Sequence, residues 1–123
     1  MRAPILKQSQ YLIASIQSAL SDEELLQLRD DLAHDVGKYR SRGVIIDVTV
    51  LDVMDSFAVR TLRAIAHMIR LRGAETVIVG IQAEVAFAMV QLGLTLEDIT
   101  TALDLEEGLA CLNRQVAGAR HVQ

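Results

Sequence analysis

The stretch that decides the fold is GVIIDVTVLDVMDSFAVRTL, residues 43–62. Its first part, GVIIDV, is a nearly continuous run of apolar and β-branched residues, which is typical of a strand covered on both faces. Its last part begins a segment with apolar residues three and four apart, which predicts a helix from about residue 56 to 71. A buried strand followed directly by an amphipathic helix indicates a sheet flanked by helices.

The same alternation of strand and helix continues along the chain. Before the central stretch, the sequence predicts a strand at 11–17, which can pair with the stretch around Ile5 and Leu6, and a helix that begins with a Ser21–Glu24 capping box. After it come the strand ETVIVG and the helix AEVAFAMVQLG, which ends at Gly93. The weak strand ITTAL follows, and then a last helix that begins at Asp104 and Glu107. We therefore predict an α/β fold with a mixed, mainly parallel sheet of four to five strands and about four helices. The domain is expected to span residues 3–116, with a frayed tail at 117–123.

Composition limits the classes of protein to which the chain can belong. Its 123 residues, 51% hydrophobic and 23% charged, predict one folded domain rather than a disordered chain. A net charge of −4 argues against binding to nucleic acid. Cys111 is the only cysteine, which favours the reducing cytoplasm. Residues 77–96 are long enough to cross a membrane, but their Gly, Gln and Glu residues divide them into a strand, a turn and a helix, so we expect no membrane span.

Motifs for catalysis are missing from the sequence. It contains neither of the glycine-rich phosphate loops and no G-x-S-x-G elbow, and Asp47 lacks the partner residues that a phosphoaspartate site needs. Asp30, Asp31, His34 and Asp35 have spacings that suit a metal, but they are interpreted as a solvated acidic face. We expect no enzymatic activity, no metal and no cofactor.

Ser56 stands where the helix at 56–71 begins, so it can be a cap or a modification site. Either Asp55 or Ser56 can cap the helix, since both residue types are favoured there. If Asp55 caps, the Ser56 hydroxyl is free, and the helix dipole would favour a phosphate on it by about 0.3–1 kcal/mol. The same phosphate beside Asp52 and Asp55 would repel a partner bound at this surface. From the residues alone, a plain cap is the better interpretation.

Arg60, Arg63, His67 and Arg70 follow at spacings of three and four and form a basic stripe on the same helix. Such a stripe on an acidic protein could attract an acidic partner or hold a phosphate. It could equally be a solvated face, and both interpretations remain open.

The stretch at 43–62, followed by TVIVGIQAEVAFAMVQLG, resembles the STAS family, named after sulfate transporters and anti-sigma-factor antagonists. The resemblance extends from about residue 5 to 116 and implies a small mixed sheet carrying helices. Within the family, the chain resembles the small scaffold subunit of the stressosome. Free-standing anti-sigma-factor antagonists usually have a pair of small residues after the serine, where this chain has Phe57 and Ala58. The larger sensor paralogues have a threonine where this chain has Ala88. A stand-alone subunit without an N-terminal sensor domain is therefore expected.

The resemblance implies that Ser56 is phosphorylated, which reverses the preference for a plain cap. It implies that a serine kinase is held inactive and then released, and that a phosphatase acts on phospho-Ser56. It also implies that the chain assembles with sensor-type STAS paralogues and associates with itself into a dimer and a larger assembly. The residues assigned to the switch loop and the partner contact are Asp52, Asp55, Phe57, Arg60 and Arg63. Two alternatives are a free-standing anti-sigma-factor antagonist and a nucleotide-binding STAS domain.

Overall fold

The computed structural model describes residues 3–96 and 98–121 of the chain. The alternation predicted from the sequence is confirmed. The elements are β1 (Ile5–Gln8), β2 (Tyr11–Ser15), α1 (Asp22–Tyr39), β3 (Gly43–Asp47), α2 (Ser56–Leu71), β4 (Glu75–Val79), α3 (Ala83–Gln91), β5 (Thr100–Ala102) and α4 (Leu105–His121).

The five strands form one sheet in the order β1-β2-β3-β4-β5. Strand β1 pairs with β2 in the antiparallel direction, and every later pair is parallel. The predicted mixed, mainly parallel sheet is therefore confirmed. Ser15, Asp47 and Val79 lie in register at the carboxyl ends of β2, β3 and β4. The connections that follow β3 and β4 consequently leave the sheet side by side.

Alternate side chains of the strands point into two separate cores. Leu12, Ile46 and Ile78 belong to a large core that also contains the buried faces of α1, α2 and α3. On the other face, Ile13, Ile45 and Val77 pack with α4. The predicted sheet with helices on both faces is confirmed, and its two faces are covered unequally.

Local sequence signals explain where the helices begin. Ser21 and Glu24 form the predicted reciprocal capping box of α1. At α4, the Asp104 carboxylate accepts a hydrogen bond from the Glu107 amide at 2.9 Å. Helix α4 extends to His121, and residues 122 and 123 of the expected tail lie outside the described part.

Among the described residues, no helix has the length and apolar character needed to cross a membrane. The apolar stretch at 77–96 instead continues β4, turns at Gly80 with a φ of +82°, and forms α3. Glycine suits that turn because the left-handed region carries no side-chain penalty for it.

Candidate functional site at the start of helix α2

Asp55 caps helix α2, and Ser56 is the first residue of the helix. The Asp55 carboxylate accepts a hydrogen bond from the Ala58 amide at 2.8 Å. Of the two capping residues that the sequence allowed, the structure therefore selects Asp55. The Ser56 side chain is partly exposed, and its hydroxyl makes no hydrogen bond within residues 3–96 and 98–121. This hydroxyl is thus held at a defined place without being used by the fold.

The loop before α2 is anchored to the connection that follows β4. Asp47 Oδ1 accepts from the Thr49 amide at 2.9 Å and from the Thr49 hydroxyl at 2.6 Å. Gln82 Nε2 donates to the Thr49 carbonyl oxygen at 2.8 Å. A methyl group on Gly80 would overlap the Thr49 hydroxyl, so the two connections touch directly. The turn from Asp47 to Thr49 was not predicted, although an aspartate two residues before a threonine is a signal for it, and the contact with Gly80 and Gln82 has no local signal.

The same loop places buried and exposed apolar residues on opposite sides. Leu51 and Met54 are buried in the larger core and fix the path of the backbone toward Ser56. Val50 and Val53 point outward and are 62% and 68% exposed. The surface in front of α2 is therefore partly apolar.

Most of the assigned site residues lie in the loop before Ser56 or in the first turns of α2. Asp52 and Asp55 are exposed in the loop, and Phe57 is half-buried beside the serine. Arg60 lies one turn further along α2, is exposed, and makes no ion pair with the described residues. Residues four apart on a helix are neighbours, so Arg60 and Ser56 lie on the same side of α2.

The basic stripe is divided in the structure. His67 Nε2 lies 2.8 Å from Asp98 Oδ2, and Arg70 Nη2 donates to the Asp98 carbonyl oxygen at 3.0 Å. Arg63 is half-buried, and within the described part of the chain its Nε is buried without a hydrogen-bond partner. The far half of the stripe therefore holds the loop before β5, and Arg60 is the member left available near Ser56.

These contacts lower the pKa of the Asp98 carboxyl. A hydrogen bond from the Asp98 backbone amide, followed by the bond from the His67 ring, holds the pKa of Asp98 below its ordinary value. The Arg63 charge acts in the same direction. These hydrogen bonds join the second half of α2 to the loop before β5.

The described residues contain no group of His, Cys, Asp and Glu side chains arranged to hold a metal ion. On α1, Asp31, His34 and Asp35 line an open depression with Ala3 and Ile5. Asp31 accepts a hydrogen bond from Gln27 at 2.9 Å.

The profile of the STAS domain matches residues 3–108 of the chain. The chain belongs to the STAS family. The family resemblance of the two motifs is thereby confirmed. In this STAS domain, the capped helix start and the anchored loop lie at the carboxyl edge of the parallel sheet.

Two solved structures cover nearly all of this STAS domain. The first is a serine-to-glutamate variant of RsbS from Moorella thermoacetica, which is 32% identical, covers 95% of this chain and 99% of its own, and has a TM-score of 0.82. The second comes from work on the molecular architecture of the stressosome, a signal integration and transduction hub. It is 32% identical, covers 92% of this chain and 98% of its own, and has a TM-score of 0.76. The STAS domain is therefore similar to RsbS over its whole fold.

One curated relative is longer than this STAS domain. The RsbT co-antagonist protein RsbRA of Bacillus subtilis is 28% identical over 97 residues, which are 79% of this chain and 35% of that protein. The chain thus spans about a third of the length of RsbRA.

We expect Asp55→Ala to lower the free energy of unfolding by about 1 kcal/mol, because the Ala58 amide loses its capping acceptor. Urea unfolding of the STAS domain measures the change. Asp55→Asn keeps an acceptor and should retain most of the stability. Asp52→Ala is the matched control, since the exposed Asp52 makes no hydrogen bond with the described residues. Equal losses for Asp52→Ala and Asp55→Ala would contradict the assignment of the cap.

We expect His67→Ala to raise the pKa of Asp98 toward its ordinary value, because the variant removes one of the hydrogen bonds that lower it. A lowered pKa contributes stability above the ordinary value of the carboxyl, and this stability is lost as the pH falls through the folded value. The destabilisation caused by His67→Ala should therefore shrink in acid. Carbon-13 NMR of the carboxyl measures the pKa, and His34→Ala on α1 is the control. An unchanged Asp98 titration in His67→Ala would refute the contact.

Proposed function

We propose that this STAS domain is a non-enzymatic scaffold subunit of a bacterial stress-signalling complex, the stressosome, switched by phosphorylation of Ser56. Unmodified, it holds a partner serine kinase inactive, and the phosphorylated form releases that kinase. The observation that carries the proposal is the unbonded Ser56 hydroxyl at the first position of a helix that Asp55 already caps. The likeness to RsbS over 95% of the chain supports the same assignment.

The surroundings of Ser56 explain why a phosphoryl group would act on a partner and leave the fold intact. The group adds about −1.5 to −2 charges beside Asp52 and Asp55, at a surface where Val53 is exposed. A partner that covers this surface must then remove concentrated negative charge from water, which weakens the complex. The fold itself accepts the charge, because the start of α2 is the positive end of the helix dipole.

Arg60 can also offset part of the negative charge of a phosphate on Ser56. Residues four apart on a helix are neighbours, so its guanidinium can reach a phosphate on Ser56. Asp52, Asp55, Phe57 and Arg60 therefore have distinct parts in the proposed switch. The acids and Phe57 frame the hydroxyl for the kinase, and Arg60 neutralises part of the added charge. Arg63 is half-buried and contributes to the contact from the next turn of the helix.

The proposed partners follow from the relatives. The likeness to the stressosome structure supports self-association, and the likeness to RsbRA supports assembly with sensor-type STAS paralogues. A phosphatase acting on phospho-Ser56 would restore the kinase-holding state. We place this cycle in the cytoplasm, where the single cysteine, Cys111, remains reduced.

The test is a pull-down from native cytoplasm with four baits: the wild type, Ser56→Ala, Ser56→Asp and Ser9→Asp. We expect the wild type and Ser56→Ala to retain a serine kinase, and Ser56→Asp to retain at least roughly tenfold less, because a charge placed in a covered interface costs several kcal/mol. Ser9→Asp adds the same charge at an exposed serine in the turn before β2, at the opposite edge of the sheet, and should behave like the wild type. Equal kinase recovery with Ser56→Asp and the wild type would refute the switch.

A further inference from the structure

A cluster of arginines lies at the opposite edge of the sheet from Ser56. Arg40 and Arg42 belong to the connection between α1 and β3, and Arg72 follows the end of α2. The three side chains line an open depression of about 480 Å³. Two separate connections thus bring three positive charges together on a chain whose net charge is −4.

No carboxylate neutralises this cluster in the described part of the chain. Arg40, Arg42 and Arg72 make no ion pair there, and no acidic side chain lines the depression. The acid nearest in sequence, Glu75, lies 3.8 Å from Arg70 instead. Like charges held close together repel one another, so the folded protein gains stability when an anion enters the cluster.

The depression also presents the hydroxyl of an otherwise buried residue. Ser41 is only 6% exposed, and its hydroxyl makes no hydrogen bond within residues 3–96 and 98–121. Its oxygen is not among the fully buried atoms that lack a partner, so the hydroxyl is open to the depression. Ser41 lines the same depression as the three arginines, so its hydroxyl is free to donate a hydrogen bond to a bound anion.

The backbone holds these groups in place. Arg40 ends α1 in the left-handed conformation, with a φ of +50°, and its amide donates to the Gly37 carbonyl oxygen. The Ser41 amide donates to the Val36 carbonyl oxygen at 3.2 Å. Arg72 lies against Gly37, because a methyl group there would stand 2.7 Å from Arg72 Nη2. The glycine therefore makes room for the guanidinium within the depression.

We propose that this depression is a binding site for a small ligand carrying a phosphate group. Arginine guanidinium groups match the oxygens of phosphate in a two-pronged geometry, and the Ser41 hydroxyl supplies a further donor. The volume exceeds the lower end of the range of small-molecule sites, so it admits a phosphate ester as well as the free ion. The proposal is independent of Ser56, because the two sites lie at opposite edges of the sheet.

The test is an NMR titration of the nitrogen-15-labelled chain with inorganic phosphate and, separately, with phenyl phosphate, at constant ionic strength maintained with potassium chloride. We expect saturable shifts of the Gly37, Ser41 and Gly73 amides. The double variant Arg42→Gln with Arg72→Gln should bind at least roughly tenfold more weakly, because charge-assisted hydrogen bonds are lost. Tighter binding of phenyl phosphate would assign the site to esters, and equal binding would assign it to the phosphate group alone.

Arg114→Gln on the exposed part of α4 is the matched control and should bind like the wild type. Shifts that do not saturate, or equal weakening in Arg114→Gln and the double variant, would overturn the proposal. If the double variant loses its dispersed spectrum, Ser41→Ala replaces it. Undiminished affinity in Ser41→Ala would then overturn the proposal, and a severalfold loss would support it.

Discussion

Gly80→Ala should lower the free energy of unfolding by about 3 kcal/mol. Gly80 has a φ of +82°, and a side chain in this region costs about 1–2 kcal/mol by itself. The new methyl group would also overlap the Thr49 hydroxyl and stand 3.0 Å from the Thr49 Cα atom. Relief requires the loop before α2 to move, and the bonds of Thr49 to Asp47 and Gln82 oppose that movement. Overpacking of this kind adds about 1–3 kcal/mol.

Gly93→Ala is the matched control for Gly80→Ala. Gly93 also has a positive φ, of +70°, but a methyl group there meets nothing within 4 Å. Its substitution should therefore cost only the conformational part, about 1 kcal/mol. Urea unfolding of both variants separates strain from collision. Equal losses in the free energy of unfolding for the two variants would show that the close contact between Gly80 and Thr49 does not add to the cost of Gly80→Ala.

Leu112→Ala should destabilise the protein by about 3–4 kcal/mol, the range found when a buried leucine leaves a cavity. Leu112 is fully buried on α4 and belongs to the smaller core. The fit beneath it is close, because a methyl group on Gly43 would stand 2.8 Å from Leu112 Cδ2. Since α4 is the helix that covers this face, neighbouring side chains can fill the cavity only in part.

Thermal or urea unfolding measures the effect of Leu112→Ala. Leu71→Ala is the control, because it deletes the same atoms at the end of α2 where the side chain is 89% exposed. Its cost should stay within about 0.5 kcal/mol, as for other surface substitutions. A small loss for Leu112→Ala would show that the second face of the sheet contributes little to stability.

The parts of the fold that depend on neighbouring residues could be predicted from the sequence. The Ser21–Glu24 box, the buried face of α2 and the strand at 43–47 each follow from residues within a few positions of one another. The choice between Asp55 and Ser56 as the cap could not be predicted, because both side chains suit the position and backbone geometry decides between them.

Long-range contacts account for what the sequence analysis did not find. His67 and Arg70 hold Asp98, about thirty residues away, and no periodicity within α2 reveals that contact. The Thr49–Gln82 bond joins two connections that are neighbours only because β3 and β4 pair in parallel. The arginine cluster around Ser41 has the same origin, since its members come from opposite ends of the segment 40–72.

The unequal covering of the sheet has a consequence for the way the native state opens. Helix α4 packs through a core of few residues, whereas α1, α2 and α3 share the larger one. We therefore expect α4 to detach as a sub-global unit, with faster amide hydrogen exchange than the strands beneath it. Detachment would uncover a row of apolar strand side chains, namely Tyr11, Ile13, Ile45, Val77 and Val79. Such a face on a sheet with open edges is prone to aggregate, so docking of α4 protects the chain against aggregation.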